Sequence, residues 1–379
     1  MRIGIDCRKF YDVHANNGVG VERFVYHLVR TMIALDQKND YVLFFYSDIS
    51  PETIHKVRAH NPRVKIVKLF KTGSRIPLLD NHLRFSQLLN KEDLDIIIFP
   101  ANVIPLFYRG KSILVIHDLA IYLHPEWFPE KQWFAIKFLV PRSLKQATKI
   151  VAISESTKND LNKLFGVPTA NVEVIYPGII VKEKYIDEEV DKVRKKFDII
   201  GDYFLFLGTI EPRKNILKLI QSFSNYLFEN ENSKLTLVLA GVRGWKFQPI
   251  FQFLNDSNKR LASAQIKYVG KVSNRERNIL LKNCRAFVFP SRYEGFGFPV
   301  LEAMALGVPV LTGNNSSLVE IVGDAGLLVD AEDISELRRG MTRLAQDKIL
   351  RAELVNKGFE RVKLFTWEKT AKRFLDILK

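Results

Sequence analysis

Two cysteines, Cys7 and Cys284, are all that 379 residues contain, and they lie far apart without metal-ligand spacing. That scarcity excludes a disulfide framework and points to a reduced, cytoplasmic setting. Long apolar runs are missing too. The longest, Ile96 to Tyr108, is interrupted by Pro100 and Pro105 and falls short of the ~18 residues of a membrane-spanning helix. The opening Met1-Arg-Ile-Gly-Ile-Asp6 reads as a strand, not as a signal peptide. There is no short-period repeat and no low-complexity tract. Acidic residues are absent from two stretches: Thr53–Leu79 carries seven Lys and Arg, and Lys131–Lys149 carries five. The net charge is +15. Such basic patches attract phosphates, anionic lipids or nucleic acid, although a solvated basic face is the plainer alternative. No nucleic-acid motif accompanies the charge, so nucleic acid is not an expected partner.

What is present is alternation. Short apolar runs predict strands at Arg2–Asp6, Tyr41–Tyr46, Lys65–Leu69, Ile96–Phe99, Ser112–His117, Lys149–Ala152 and Val172–Ile175, with helices at Val21–Leu35 and Glu155–Leu164. The pattern then restarts. Strands are predicted at Tyr203–Leu207, Leu235–Ala240, Lys267–Val269, Ala286–Phe289 and Val308–Leu311. Helices are predicted at Asn215–Phe228, Asn274–Asn283, Pro299–Leu306 and Ile334–Gln346. Strands alternating with helices imply a parallel sheet covered on both faces. The fold class is therefore α/β, with two doubly wound domains facing across a cleft. The charged stretch from Pro177 to Asp202 reads as the join. The expected division is 1–177, 178–365 and a C-terminal helix over 366–379 that packs back on the first domain.

Ligands of such sheets sit outside the carboxyl ends of the strands. Two segments meet that condition. In Leu207-Gly-Thr-Ile-Glu-Pro-Arg-Lys-Asn215 a strand gives way to a helix, and Gly208 is followed by Arg213 and Lys214. Cations are disfavoured at a helix N-terminus, whose N–H groups attract anions, so this placement suggests a diphosphate as their partner. In Ser291-Arg-Tyr-Glu-Gly-Phe-Gly-Phe-Pro-Val-Leu-Glu302, Gly295 and Gly297 let the backbone approach a ligand, and Pro299 suits a first helical turn. Glu302, read in that turn, can accept from the two hydroxyls of a ribose, leaving Glu294 for a second polyol. The bland reading, in which both glutamates merely favour the helix dipole, gives no account of the neighbouring Arg213 and Lys214. Asp93-Leu-Asp95 has the spelling of a metal-binding Asp-x-Asp, but it lies at the amino end of its strand and reads as a solvated turn. No metal site is expected, and no cofactor beyond a nucleotide-sugar substrate.

The segment Ser291–Glu302 resembles the E-x7-E signature of retaining glycosyltransferases of family 4. Gly208–Asn215 is similar to that family's phosphate-binding segment, and Ala152–Lys158 and Val174–Gly178 are similar to its inter-domain stretch. The resemblance covers nearly the whole chain. It implies the two-Rossmann GT-B fold and transfer of a sugar from a nucleotide donor with retention of configuration. By the same resemblance Glu302 holds the ribose, Glu294 and the backbone of Gly295, Phe296, Gly297 and Phe298 hold the donor sugar, and Arg213 and Lys214 hold the diphosphate. Leu301 lies within that motif, and Val272, in Lys271-Val-Ser-Asn274, stands where the family places the base. The glycine-rich turn with Gly18 and Gly20 faces the donor from the other domain, and His117 in Val115-Ile-His-Asp-Leu119 touches the donor sugar. A lone histidine there is otherwise usually structural. Ile3–Arg8, His117-Asp-Leu119 with Pro125–Trp127, and Asn315–Glu320 look like the family's mannosyl- and rhamnosyltransferase-like branch, with GDP-mannose the expected donor and a lipid-linked or lipopolysaccharide glycan the expected acceptor. Aromatic residues around Trp133, Phe134 and Phe138, mixed with Lys131, Lys137, Arg142, Lys145 and Lys149, suit an anionic membrane surface; packing into the core is the alternative. Two other readings stay open: a nucleotide-sugar 2-epimerase of the same fold, and a non-catalytic glycan- or lipid-binding scaffold.

Overall fold

In the computed structural model the apolar runs of the first half become one sheet. Its strands are β1 (Arg2–Asp6), β2 (Asp40–Phe45), β3 (Val64–Lys68), β4 (Ile96–Phe99), β5 (Ser112–Ile116), β6 (Lys149–Ala152) and β7 (Val172–Val174). All pair in parallel, in the order β3-β2-β1-β4-β5-β6-β7. β4 and β5 are buried at every position, as a parallel sheet covered on both faces requires. Every strand predicted here is present, its ends moved by no more than one residue. The structure describes residues 1–10, 20–61, 63–71, 76, 79–180, 187–261 and 265–379, with the backbone alone over 130–136.

The second sheet consists of β8 (Tyr203–Leu207), β9 (Thr236–Ala240), β10 (Ile266–Gly270), β11 (Ala286–Phe289), β12 (Val310–Gly313) and β13 (Leu327–Val329). It is also parallel, in the order β10-β9-β8-β11-β12-β13. β13 has no counterpart among the predicted strands. It is three half-buried residues on the sheet edge, too short to show a period. The helix Gln248–Arg260 likewise has no counterpart among the predicted helices. Its buried Ile250, Leu254 and Ser257 do follow helical spacing, and Pro249 stands in the first turn, where proline is tolerated. Within the expected join lies a helix, Asp187–Lys196, acidic in its first turn and basic in its last, with Val193 its one buried residue.

The chain forms two compact units. One comprises Met1–Leu123, Glu130–Gly178 and Phe365–Lys379; the other comprises His124–Pro129 and Ile179–Leu364. His124–Pro129 thus belongs to the second unit although it precedes it in sequence. There the Trp245 indole donates to the Trp127 carbonyl, and Lys246 donates to that of Glu126. In the first unit the terminal helix Trp367–Leu378 packs on the helix Val21–Leu35, with Trp367 stacked on His27 at 5.2 Å and against Phe24 at 5.7 Å. Gly178 lies against the backbone at the start of this terminal helix, where a Cβ would fall 2.1 Å from the Trp367 nitrogen. No helix among the described residues is long and apolar enough to cross a membrane.

Candidate functional site

β8 and β11 are neighbours in the second sheet, so the loops leaving their carboxyl ends are brought side by side. After β8 the chain passes Gly208 and forms a tight turn over Pro212–Lys214. Asn215, in the left-handed region at φ 56°, then opens the helix Ile216–Glu229. Gly208 itself packs against Gly241 at the end of β9: a Cβ on Gly241 would fall 1.8 Å from the Gly208 carbonyl oxygen. Bonds from Ile210 N–H to the Val242 carbonyl (2.8 Å) and from Gly244 N–H to the Ile210 carbonyl (3.0 Å) lock the two loops together.

The loop after β11 is held from two directions. Its Arg292 N–H donates to the Arg213 carbonyl at 2.9 Å. On the other side Ser316 Oγ accepts from Glu294 N–H at 3.0 Å, and Ser317 Oγ donates to the carbonyls of Glu294 (2.8 Å) and Phe296 (2.9 Å). Gly297, at φ 109°, caps the helix Phe298–Ala305, a backbone conformation that L side chains rarely adopt. Gly295 and Phe296 are buried and Phe298 is half-buried, while Leu301 is wholly within the core. In the sequence Ser316 and Ser317 stand out only as part of the branch-like string Asn315–Glu320. Their role as clamps emerges because the helix Ser316–Val322 follows β12, the next strand in the sheet.

These loops place Arg213, Lys214 and Glu294 in one buried ionic cluster. Lys214 Nζ lies 2.5 Å from Glu294 Oε1, Arg213 Nη1 lies 3.0 Å from Oε2, and Ser291 Oγ donates to Oε1 at 2.6 Å. Glu211, itself buried, lies 2.9 Å from Arg213. Burial pushes the Glu294 carboxyl up, but Arg213 and Lys214, with hydrogen bonds from Lys214 and Ser291, outweigh it and hold the group at about 2. The Lys214 ammonium is lowered by burial and by Arg213, against the opposing pull of Glu294 and Glu211. The two cations and two carboxylates balance in charge. The sequence alone assigns Glu294 to the sugar and the cations to the diphosphate; the structure joins all three side chains.

Glu302 is also buried, and it pairs with Arg277 of the helix Asn274–Lys282. It stands in the second turn of its helix, not the first, because that helix starts at Phe298. The dipole explanation therefore weakens for Glu302, as the effect fades beyond the first turn. Arg277 was not singled out in the sequence. Val272 is half-buried between Gly270, which ends β10 at φ 75°, and Ser273, which caps the Arg277 helix in a capping box with Glu276.

In the first unit His117 directly follows β5. Its Nε2 lies 2.7 Å from the Pro100 carbonyl, its N–H donates to Asn102 Oδ1 at 2.8 Å, and its ring meets Phe24 edge-on at 4.8 Å. Burial lowers its pKa, partly countered by the Pro100 bond and by Asp118. The neutral ring donates through Nε2. Asp118 accepts from Ala120 N–H at 3.1 Å and so shapes the turn. Gly20, at φ 43°, precedes the helix Val21–Leu35, whereas Gly18 lies outside the described residues. Of the basic residues on the helix Glu130–Gln146, Lys137, Arg142 and Lys145 are exposed, and Phe138 beside them is 64% exposed. Arg142 donates to the Leu106 carbonyl at 2.9 Å. Lys149 is half-buried and bonds the Ile377 carbonyl, so it is a structural tie and not part of an open basic face. The side chains of Lys131, Trp133 and Phe134 lie outside the described residues. Asp95 accepts from Arg2 N–H at 2.6 Å, and Asp93 sits at φ 46° in the turn before β4. Among the described residues no three His, Cys, Asp or Glu side chains form a group that could hold a metal ion.

Residues 177–361 match the family model described as glycosyl transferases group 1, and residues 19–183 match that of glycosyltransferase family 4. The O-antigen chain mannosyltransferase B of Escherichia coli is 31% identical over 273 residues, covering 71% of this chain and 70% of that protein. The serotype-specific mannosyltransferase WbdA of Escherichia coli is 28% identical over 278 residues, 72% of this chain, although the match spans only 33% of WbdA. Among solved structures, a sucrose-phosphate synthase from Thermosynechococcus elongatus superposes with a TM-score of 0.75 at 18% identity, over 100% of this chain and 98% of that one. At that identity the likeness speaks to the fold alone.

Proposed function

Because the chain belongs to glycosyltransferase family 4, we propose that it moves mannose from GDP-mannose to a glycan or lipid-linked acceptor in cell-surface polysaccharide or lipopolysaccharide synthesis, with retention of configuration. The observation that carries this reading is the buried cluster of Arg213, Lys214 and Glu294 at the carboxyl ends of two adjacent strands, the place where such sheets receive their ligands. The mannosyl donor is supported by the two mannosyltransferase relatives.

In the proposed reaction negative charge builds on the diphosphate as the sugar–phosphate bond breaks. Arg213 and Lys214, already fixed in position, stabilise that charge more than the ground state, and this removes the need for a metal ion. Glu294 stays ionised and accepts hydroxyls of the donor sugar, held by the same two cations. Glu302 accepts the ribose hydroxyls. His117, neutral and oriented by the Pro100 carbonyl, contacts the sugar without carrying charge. The exposed Phe138 with Lys137, Arg142 and Lys145 supports docking on anionic lipid, where a lipid-linked acceptor resides.

The test has two stages. GDP, UDP, ADP and dTDP are compared for their effect on Tm, since a ligand that binds the folded state raises it. GDP-mannose and UDP-glucose are then compared as donors with lipid extract as acceptor. A shift largest with GDP, and transfer from GDP-mannose, support the proposal. A larger shift with another nucleotide, or hydrolysis of the donor without transfer, overturns it.

A further inference from the structure

Arg277 has no part in the proposed sugar transfer, yet its position is costly. It lies in the first turns of the helix Asn274–Lys282, whose N–H dipoles disfavour a cation. It is also half-buried, its side chain 19% exposed, where a guanidinium loses hydration. Something has to offset both effects, and the structure supplies it: Arg277 pairs through Nη2 with Oε2 of Glu302, whose side chain is 5% exposed. The helix bearing Arg277 follows β10 and the helix bearing Glu302 follows β11. Arg277 also donates through Nη1 to Asn278 Oδ1 at 3.0 Å, which fixes the plane of the guanidinium.

The chemistry of the pair follows from Glu302's surroundings. A carboxylate buried without a cation takes up a proton, and a protonated carboxyl turns one acceptor oxygen into a donor. To accept from two vicinal hydroxyls the group has to stay ionised and keep its plane. A guanidinium does both, and it holds that plane more rigidly than an ammonium because its N–H groups form a planar fork.

We propose that Arg277 is the positioning residue for ribose recognition: by pairing with the buried Glu302 carboxylate and holding its plane, it makes the site select nucleotides that carry both ribose hydroxyls. This rests on the assignment of Glu302 to the ribose. Arg277 touches no reacting atom, and its influence passes through Glu302.

The experiment measures Kd by titration calorimetry for GDP and for 2′,3′-dideoxy-GDP, and repeats the pair with UDP and its dideoxy form. The proteins are the wild type, Arg277→Met and Arg277→Lys. Methionine keeps most of the apolar stem and removes the charge. In the wild type, loss of both hydroxyls is expected to weaken binding by at least roughly 10–100-fold, the equivalent of one charge-assisted hydrogen bond. In Arg277→Met that ratio is expected to fall below about threefold, and Arg277→Lys to restore part of it. If Arg277→Met weakens both nucleotides by the same factor and keeps the wild-type ratio, Arg277 is merely structural and the proposal fails, with the ribose assignment intact. If the wild type itself does not distinguish the two ligands, the ribose assignment fails and the proposal falls with it.

Discussion

Replacing Glu294 by glutamine keeps the size and a hydrogen-bonding group but removes the charge that Lys214 and Arg213 share. Its magnitude follows from the carboxyl's shift. The group titrates at about 2 in the fold against an ordinary 4.5, and a gap of that size corresponds to on the order of 3 kcal/mol of folding stability at neutral pH. Breaking one side of a buried ion pair typically costs about 3–5 kcal/mol, which agrees. For a unit of this size the loss lowers Tm by roughly 6–12 °C. Since the folded pKa lies below the unfolded one, this stability is present above about pH 4.5 and disappears as pH falls toward 2. Glu294→Gln is therefore expected to flatten the acid limb of the stability profile over that window. There is a second consequence. Lys214 and Arg213, released from Glu294, are left to a diphosphate. GDP is expected to recover a larger share of Tm in the variant than in the wild type, while sugar transfer collapses. The measurement is thermal unfolding at several pH values with and without GDP, alongside turnover. A variant with the wild-type Tm, or one whose GDP-induced shift is smaller than the wild type's, refutes the coupling of Glu294 to the two cations.

Transfer activity is expected to survive EDTA undiminished; loss on chelation with rescue by Mn²⁺ or Mg²⁺ contradicts the assignment of leaving-group stabilisation to Arg213 and Lys214. Gly241→Ala is expected to destabilise the second unit by ~1–3 kcal/mol, the usual range for forced overpacking, since its Cβ would meet the Gly208 carbonyl; denaturant unfolding reads this, and an unchanged midpoint rules it out. Co-sedimentation with anionic vesicles is expected to fall with added salt and to weaken in Lys137→Glu combined with Lys145→Glu, each basic residue contributing about 1 kcal/mol. Wild-type protein that stays in the supernatant at low salt removes the case for lipid docking.

Much of this was legible in the sequence because parallel strands buried on both faces are written as continuous apolar runs, such as Ile96–Phe99 and Ala286–Phe289. The loops at their carboxyl ends were legible too, because Gly297 and Pro299 have strong local preferences. What escaped were relations across the sheet. Arg277 sits in the string Asn-Arg-Glu-Arg-Asn, where nothing marks one arginine as half-buried and the other as exposed. Gly241 is required by Gly208, a residue 33 positions earlier and one strand away. Ser317 acts through its hydroxyl on a loop more than twenty residues before it. The pairing of Glu294 with Lys214 depended on β8 and β11 being neighbours although two strands separate them in sequence.

The first unit is not contiguous: its last piece, Phe365–Lys379, is encoded after the whole of Ile179–Leu364. On a ribosome adding about 5–20 residues per second, the helix Trp367–Leu378 emerges on the order of 10–40 s after Gly178. Throughout that interval Phe24 and His27 lack the cover that Trp367 gives them. The unit synthesised first is thus the one completed last, so a nascent chain released short of Phe365 leaves its leading half open and exposed to proteolysis, while the second unit already has nearly all of its residues.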